Sequence, residues 1–111
     1  MADVVRADLS DCDLSGASLR YSVLAGAILD GAKLNLADLS YAELSGASLK
    51  NADLTEANLS HADLEGANLS GASMFQADLS YAILEGADLT GADLSDCNLT
   101  GTTMPDGTIH D

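Results

Sequence analysis

The stretch GADLTGADLS, Gly86 to Ser95, states one five-residue phrase twice, and five is the period of neither a helix nor a strand. On a helix, five residues advance the azimuth by about 500°, so successive leucines would scatter around the cylinder. On a continuous strand an odd period flips each leucine to the opposite face. A chain that keeps the phrase must therefore turn a corner in every repeat, with Ala and Leu always inward.

Read outward from that stretch, the grid never slips. Leucine recurs every fifth residue from Leu9 to Leu99, with Val4, Met74 and Met104 as its only substitutes. Two residues before each grid point stands Ala, replaced only by Cys12, Ser22, Cys97 and Thr102. The unit is roughly Ala-Asp/Asn-Leu-Ser/Thr-Gly, and it runs from Ala2 to Asp106 in twenty-one copies. Repeats that cannot bury an apolar face alone are stabilised by stacking on their neighbours.

A longer period sets the stacking. DLSYAEL (Asp38 to Leu44) returns as DLSYAIL (Asp78 to Leu84), and Gly26, Gly46, Gly66 and Gly86 recur every twenty residues. Twenty residues hold four units, which predicts four sides per coil and about five coils. At ~4.8 Å per layer the column is on the order of 25 Å tall.

The run NADLTEANLSHADLEGANLSGA (Asn51 to Ala72) resembles the pentapeptide repeat family, and the likeness covers nearly the whole chain. The resemblance implies an all-β fold, a right-handed quadrilateral β-helix with Leu and Ala inward. Residues 1–106 would form the β-helix and 107–111 a C-terminal tail. The Met-Pro-Asp-Gly turn at Met104 to Gly107 is similar to tails of cyanobacterial members. Most members have no assigned biochemistry, so the resemblance implies a non-enzymatic scaffold; some longer relatives imitate DNA toward gyrase and other type II topoisomerases.

Composition narrows the partners. Eighteen acidic residues against four basic ones give a net charge of −14. That balance argues against direct nucleic-acid or anionic-membrane binding, both of which need positive charge. No apolar run is long enough for a membrane helix, and MADVVRADLS lacks a signal-peptide core, which points to the cytoplasm. Cys12 and Cys97 lie about four coils apart, ~20 Å at strand spacing, too far for one disulfide; both are expected to be buried.

Corner residues separate the four faces. After Leu24, Leu44, Leu64 and Leu84 the corner is always Gly, and on the Leu9 face it runs Asp11, Gly31, Asn51, Gly71, Gly91. These residues tolerate the positive φ of a type II turn. The other two corners carry Tyr21, Tyr41, His61, Tyr81 and Gly16, Leu36, Glu56, Gln76, Asp96. Bulky residues resist positive φ, which predicts a different turn there.

Charge follows the columns. The column Asp13, Lys33, Asp53, Ser73, Asp93 never stacks acid on acid, whereas the Leu24 face sets Glu43 under Asp63 and Glu65 under Glu85. Those four carboxylates are the candidate acidic patch. The aromatic column Tyr21, Tyr41, His61 and Tyr81 is the candidate partner-binding site, since Tyr concentrates at interface hot spots. A ladder that merely stabilises its own corner would look the same. No nucleophile-and-base pair, phosphate loop or metal-ligand cluster appears, so no catalytic residue, metal or cofactor is expected. The leading function is an acidic scaffold for an unidentified protein partner, and the alternative is a DNA mimic acting on gyrase. An N-terminal coil with nothing before it is expected to pair two chains as a homodimer, while Ile109 folds back over the last coil.

Overall fold

The structure is a computed structural model and describes residues 6–111. Ala2, Asp3 and Val4, which open the coil expected to join two chains, lie outside those residues, and most of that coil lies within them.

In each unit the residue before the grid leucine forms a parallel bridge to the residue twenty positions on. Asp13, Lys33, Asp53, Ser73 and Asp93 pair in that order, as do Ser18, Asp38, Asn58, Asp78 and Asn98. The superperiod read from the sequence is therefore the pairing register. Two backbone bonds tie each side to its neighbours: Leu34 N–H donates to the Asp53 carbonyl at 2.7 Å, and Asp53 N–H donates to the Ala32 carbonyl at 3.0 Å. A side this short pairs at one residue before it reaches a corner, so no long strand forms.

Inward leucines stack into the core. Leu29, Leu34, Leu39 and their successors through Leu84 are buried, with Met74 in the one substituted place and alanines between. Full burial of a side chain this size stabilises by about 1.5–3 kcal/mol, so the core rests on many equal contributions. Residues with a full circuit on one side only are less covered: Leu9, Leu14 and Leu19 at one end, and Leu89, Leu94 and Leu99 at the other. Cys12 and Cys97 share that fate, being free and half-buried where full burial was expected. The Cys97 thiol donates to the Met74 carbonyl at 2.8 Å, and burial pushes its pKa up.

The corners correct the expectation of two turn types. Tyr21, Leu36, Tyr41, Glu56, His61, Gln76 and Tyr81 all have φ near +60°, alongside the glycines at about +70°. Each corner also closes with the same bond, as when Ala37 N–H donates to the Leu34 carbonyl at 3.0 Å. Positive φ at the third residue with this closure is the type II pattern on all four sides. The left-handed region costs a non-glycine residue roughly 1–2 kcal/mol. Stacking overrides that local preference, because a corner of another shape would break the register with the next coil. The corner amide is bound upward at the same time, Leu36 N–H to the Thr55 carbonyl at 3.0 Å.

The Asp/Asn-Leu-Ser/Thr part of the phrase has its own local reason. Asp88 Oδ1 accepts the Thr90 amide at 2.9 Å and the Thr90 hydroxyl at 2.6 Å. Asn58 holds Ser60 in the same way. These short side-chain-to-backbone bonds lead the chain into the turn. The Ser or Thr hydroxyl, and next the amide, hold Asp8, Asp13, Asp38, Asp88, Asp93 and Asp106 below the usual carboxylate pKa.

After the turn at Pro105 to Gly107 the chain runs back antiparallel, with Ile109 bridged to Thr103. His110 N–H donates to the Thr102 carbonyl and Gly101 N–H donates to the His110 carbonyl, both at 2.8 Å. The tail thus folds back, but backbone does the covering while the Ile109 side chain stays exposed.

Candidate functional site: an aromatic corner beside an acidic face

One corner of the column carries a continuous ring stack. Tyr21 lies 5.0 Å from Tyr41, Tyr41 lies 4.6 Å from His61, and His61 lies 5.2 Å from Tyr81, measured between ring centroids. Interplanar angles of 21°, 2° and 15° make every pair a parallel stack. Coil spacing sets this geometry: corner residues of one register repeat at the sheet spacing, near ring-stacking distance. Gly101 ends the ladder, and the Tyr81 ring one coil below lies so close that a Cβ there would collide with it.

Stacking uses the ring faces and leaves their edges in solvent. Tyr21, Tyr41 and Tyr81 keep 61%, 41% and 56% exposure. Val23 and Ile83, two residues past Tyr21 and Tyr81 on the Leu24 face, are exposed as well. The corner is therefore an apolar seam about four coils tall on a polar molecule.

Arg20 completes the lower half. Its guanidinium carbon lies 5.0 Å from the Tyr21 centroid and 5.5 Å from that of Tyr41. With the rings themselves 5.0 Å apart, the three points form a near-equilateral triangle. The guanidinium thus sits beside the seam between the rings. It donates a long bond to the Tyr21 hydroxyl at 3.4 Å. That contact, and to a lesser degree Asp38, raises the Arg20 pKa further.

The acidic patch occupies the adjoining face. Glu43 and Asp63 are direct bridge partners, and the Glu85 carbonyl accepts the amide that follows Glu65. The column of Glu43 and Asp63 begins with Val23 and continues through Ile83 to Thr103, so that pair lies between two aliphatic residues, while Glu65 and Glu85 stand in the adjoining column of the same face. Elsewhere Asp30 reaches to the next coil, where its Oδ1 accepts the Ser48 hydroxyl at 2.5 Å and the Lys50 amide at 3.0 Å. Although Lys50 carries a charge, the bond that Asp30 makes to it is with its backbone. Among the described residues no three His, Cys, Asp or Glu side chains gather as metal ligands would. No helix among them is long and apolar enough to cross a membrane.

Sequence reasoning found the tyrosine column and the carboxylates but counted Arg20 only as a charge. The signal was present: an arginine directly before the first tyrosine of the ladder, in a chain with four basic residues. Val23 and Ile83 were also passed over, although each stands where the unit normally has Asp or Asn.

A family model for pentapeptide repeats matches residues 7–40, 32–71 and 72–106, in eight copies. The chain belongs to the pentapeptide repeat family. Its coil is the right-handed quadrilateral β-helix of pentapeptide repeat proteins, which are repeat scaffolds. HetL, a pentapeptide repeat protein involved in heterocyst differentiation regulation in the cyanobacterium Nostoc sp. strain PCC 7120, superposes with a TM-score of 0.92 at 44% identity, covering 96% of this chain and 50% of HetL. A pentapeptide repeat protein from the cyanobacterium Cyanothece 51142 gives a TM-score of 0.60 at 35% identity, over 85% of this chain and 64% of that one. Another, from the Arabidopsis thaliana thylakoid lumen, gives 0.59 at 38%, over 95% and 70%. This chain spans half the length of HetL. No curated protein sequence matches it.

Proposed function

We propose that this pentapeptide repeat chain is a non-enzymatic, protein-binding scaffold of about five coils, and that the Tyr21–Tyr41–His61–Tyr81 corner is its docking surface. The exposed seam carries this reading. Stacking alone would account for the ring faces, but not for Val23 and Ile83 left in solvent at the two ends of the same corner. Amphipathic rings held rigid by their neighbours lose little entropy on binding, which suits an interface anchor. The net charge of −14 steers toward basic partners.

Affinity capture with the tagged chain tests this. Tyr21→Asn with Tyr41→Asn removes the lower rings while keeping the corners, because Asn51 already holds one at φ 59°. Partners held by the wild type are expected to be lost from the double variant, with the circular dichroism spectrum unchanged. Retention of the same partners would make the ladder purely structural.

A second reading, imitation of DNA toward gyrase, draws on the stacked carboxylates Glu43, Asp63, Glu65 and Glu85. Duplex DNA presents a charge every ~1.7 Å without a break. Here Val23 and Ile83 end the Glu43–Asp63 column after two carboxylates, which favours the scaffold. A gyrase supercoiling assay at large molar excess decides: inhibition supports the mimic, and unchanged supercoiling removes it.

A further inference from the structure

The corner contains one arginine site that is filled and a second, repeat-related site that is empty. The filled one consists of Arg20 beside the Tyr21–Tyr41 seam, with Asp38 as the carboxylate of the next coil on the same face. A translation of forty residues, two coils up, carries Tyr21 to His61, Tyr41 to Tyr81 and Asp38 to Asp78. The same translation carries Arg20 to Ser60. The geometry repeats with the sequence. The His61–Tyr81 stack has a centroid distance of 5.2 Å and an angle of 15°, against 5.0 Å and 21° in the filled site. Asp78 is braced by the amide and hydroxyl of Ser80 at 2.9 and 2.6 Å, as Asp38 is by those of Ser40 at 3.0 and 2.6 Å. Ser60 turns its hydroxyl to Asn58 at 2.7 Å and is too short to reach the ring seam.

We infer that the seam between His61 and Tyr81 is a docking slot for an arginine side chain of the partner protein. The inference rests on the reading of this corner as the protein-binding face, and it names the chemistry that the upper half of that face recognises. The contact is shown within the molecule by Arg20: a planar cation beside two stacked rings, one polar ring atom, and a fixed carboxylate on the next coil. At the upper site His61 offers a ring nitrogen as the polar atom in place of the Tyr21 hydroxyl, nearer the backbone because the imidazole is the shorter side chain. Arginine fits better than lysine because a delocalised guanidinium lies flat on ring edges and sheds water more readily than an ammonium. The occupant is a protein side chain and not a nucleic acid, since the surrounding charge repels phosphate.

The test uses two probes of equal charge, hexa-arginine and hexa-lysine peptides, titrated into the isotopically labelled protein at ~0.15 M salt, where the Debye length is about 8 Å. Charge steering is common to both, so the ratio of their affinities reports the guanidinium. The arginine peptide is expected to bind about 2- to 5-fold more tightly, the scale of an exposed cation–π contact. It is also expected to produce its largest shifts at the His61 and Tyr81 rings. Ser60→Arg fills the slot from within, as Arg20 does below, and is expected to bring the ratio to one. Tyr81→Asn, with asparagine already seated at the Asn51 corner, is expected to do the same by removing the seam. Equal affinity of the two peptides for the wild type overturns the inference, as does a ratio that survives in either variant. If the ratio is absent while the lower tyrosine variants still lose their partners, only the arginine slot falls. If neither effect is seen, the docking face falls with it.

Discussion

Leu54 and Leu94 hold the same place in the same five-residue unit, yet Leu54 is fully buried and Leu94 is packed only partly against the core. The phrases around them, NADLT and GADLS, barely differ. What differs is the number of coils on either side. Burial in this architecture is conferred by the layers above and below, so identical residues are worth different amounts at different heights.

The strongest way to break that comparison is to truncate both leucines. Leu54→Ala should cost about 3 kcal/mol, the middle of the range for a buried leucine with a residual cavity. Leu94→Ala should cost less than half as much, because solvent already reaches it. The urea midpoint of each variant measures this; equal losses would mean that the column unfolds without regard to height.

The corners supply a control in which height should not matter. Gly46 at φ +66° and Gly16 at φ +69° both have open space where a Cβ would go. Alanine at either place is left with only the left-handed backbone penalty, so each substitution should cost about 1 kcal/mol. Similar midpoint shifts at the two sites would sharpen the contrast with leucine. A much larger loss at Gly46 would show that coil stacking, and not local backbone, sets the penalty.

Thr102 is the exception among the inward residues of the last circuit, being fully buried beside the returning tail. Its hydroxyl donates to the Leu79 carbonyl at 2.6 Å. Thr102→Val keeps the shape and removes that bond, and about 1 kcal/mol is the expected loss by thermal melting.

The smallest effect belongs to the exposed carboxylates. Asp88 is held below its ordinary pKa by Thr90, so its stabilisation is complete above the usual carboxylate range and fades as pH falls through the lowered value. Asp88→Asn preserves the acceptor, since Asn68 one coil below accepts the Ser70 amide with its amide oxygen. Melting temperature at pH 7 should hardly move in that variant, while its decline on acidification should be slightly shallower than in the wild type. A steeper decline would contradict the assignment.

How much of this was legible beforehand follows from the range of each interaction. The inward leucines and alanines, the corner in every unit and the twenty-residue register were all readable, because each is a periodicity and periodicity is one-dimensional. The tyrosine column was readable for the same reason. The turn type at Leu36 and Glu56 was not, since their local preference for negative φ is overruled by bonds to residues on the next coil. Nor was the half-burial of Cys12 and Cys97, which depends on their height in the stack.

By itself the amino-acid sequence determined that the chain coils with four sides per turn, keeps a leucine and alanine interior, and carries its tyrosines on one corner. Only the tertiary structure decided that the corners held by Tyr, Leu, Glu and Gln turn through the left-handed region as the glycines do, and that Arg20 settles against the ring seam. The division has a physical cause. A repeat dictates which residues recur at one register, whereas stacking forces and side-chain reach arise between residues twenty positions apart, and these exist only once the coils are closed.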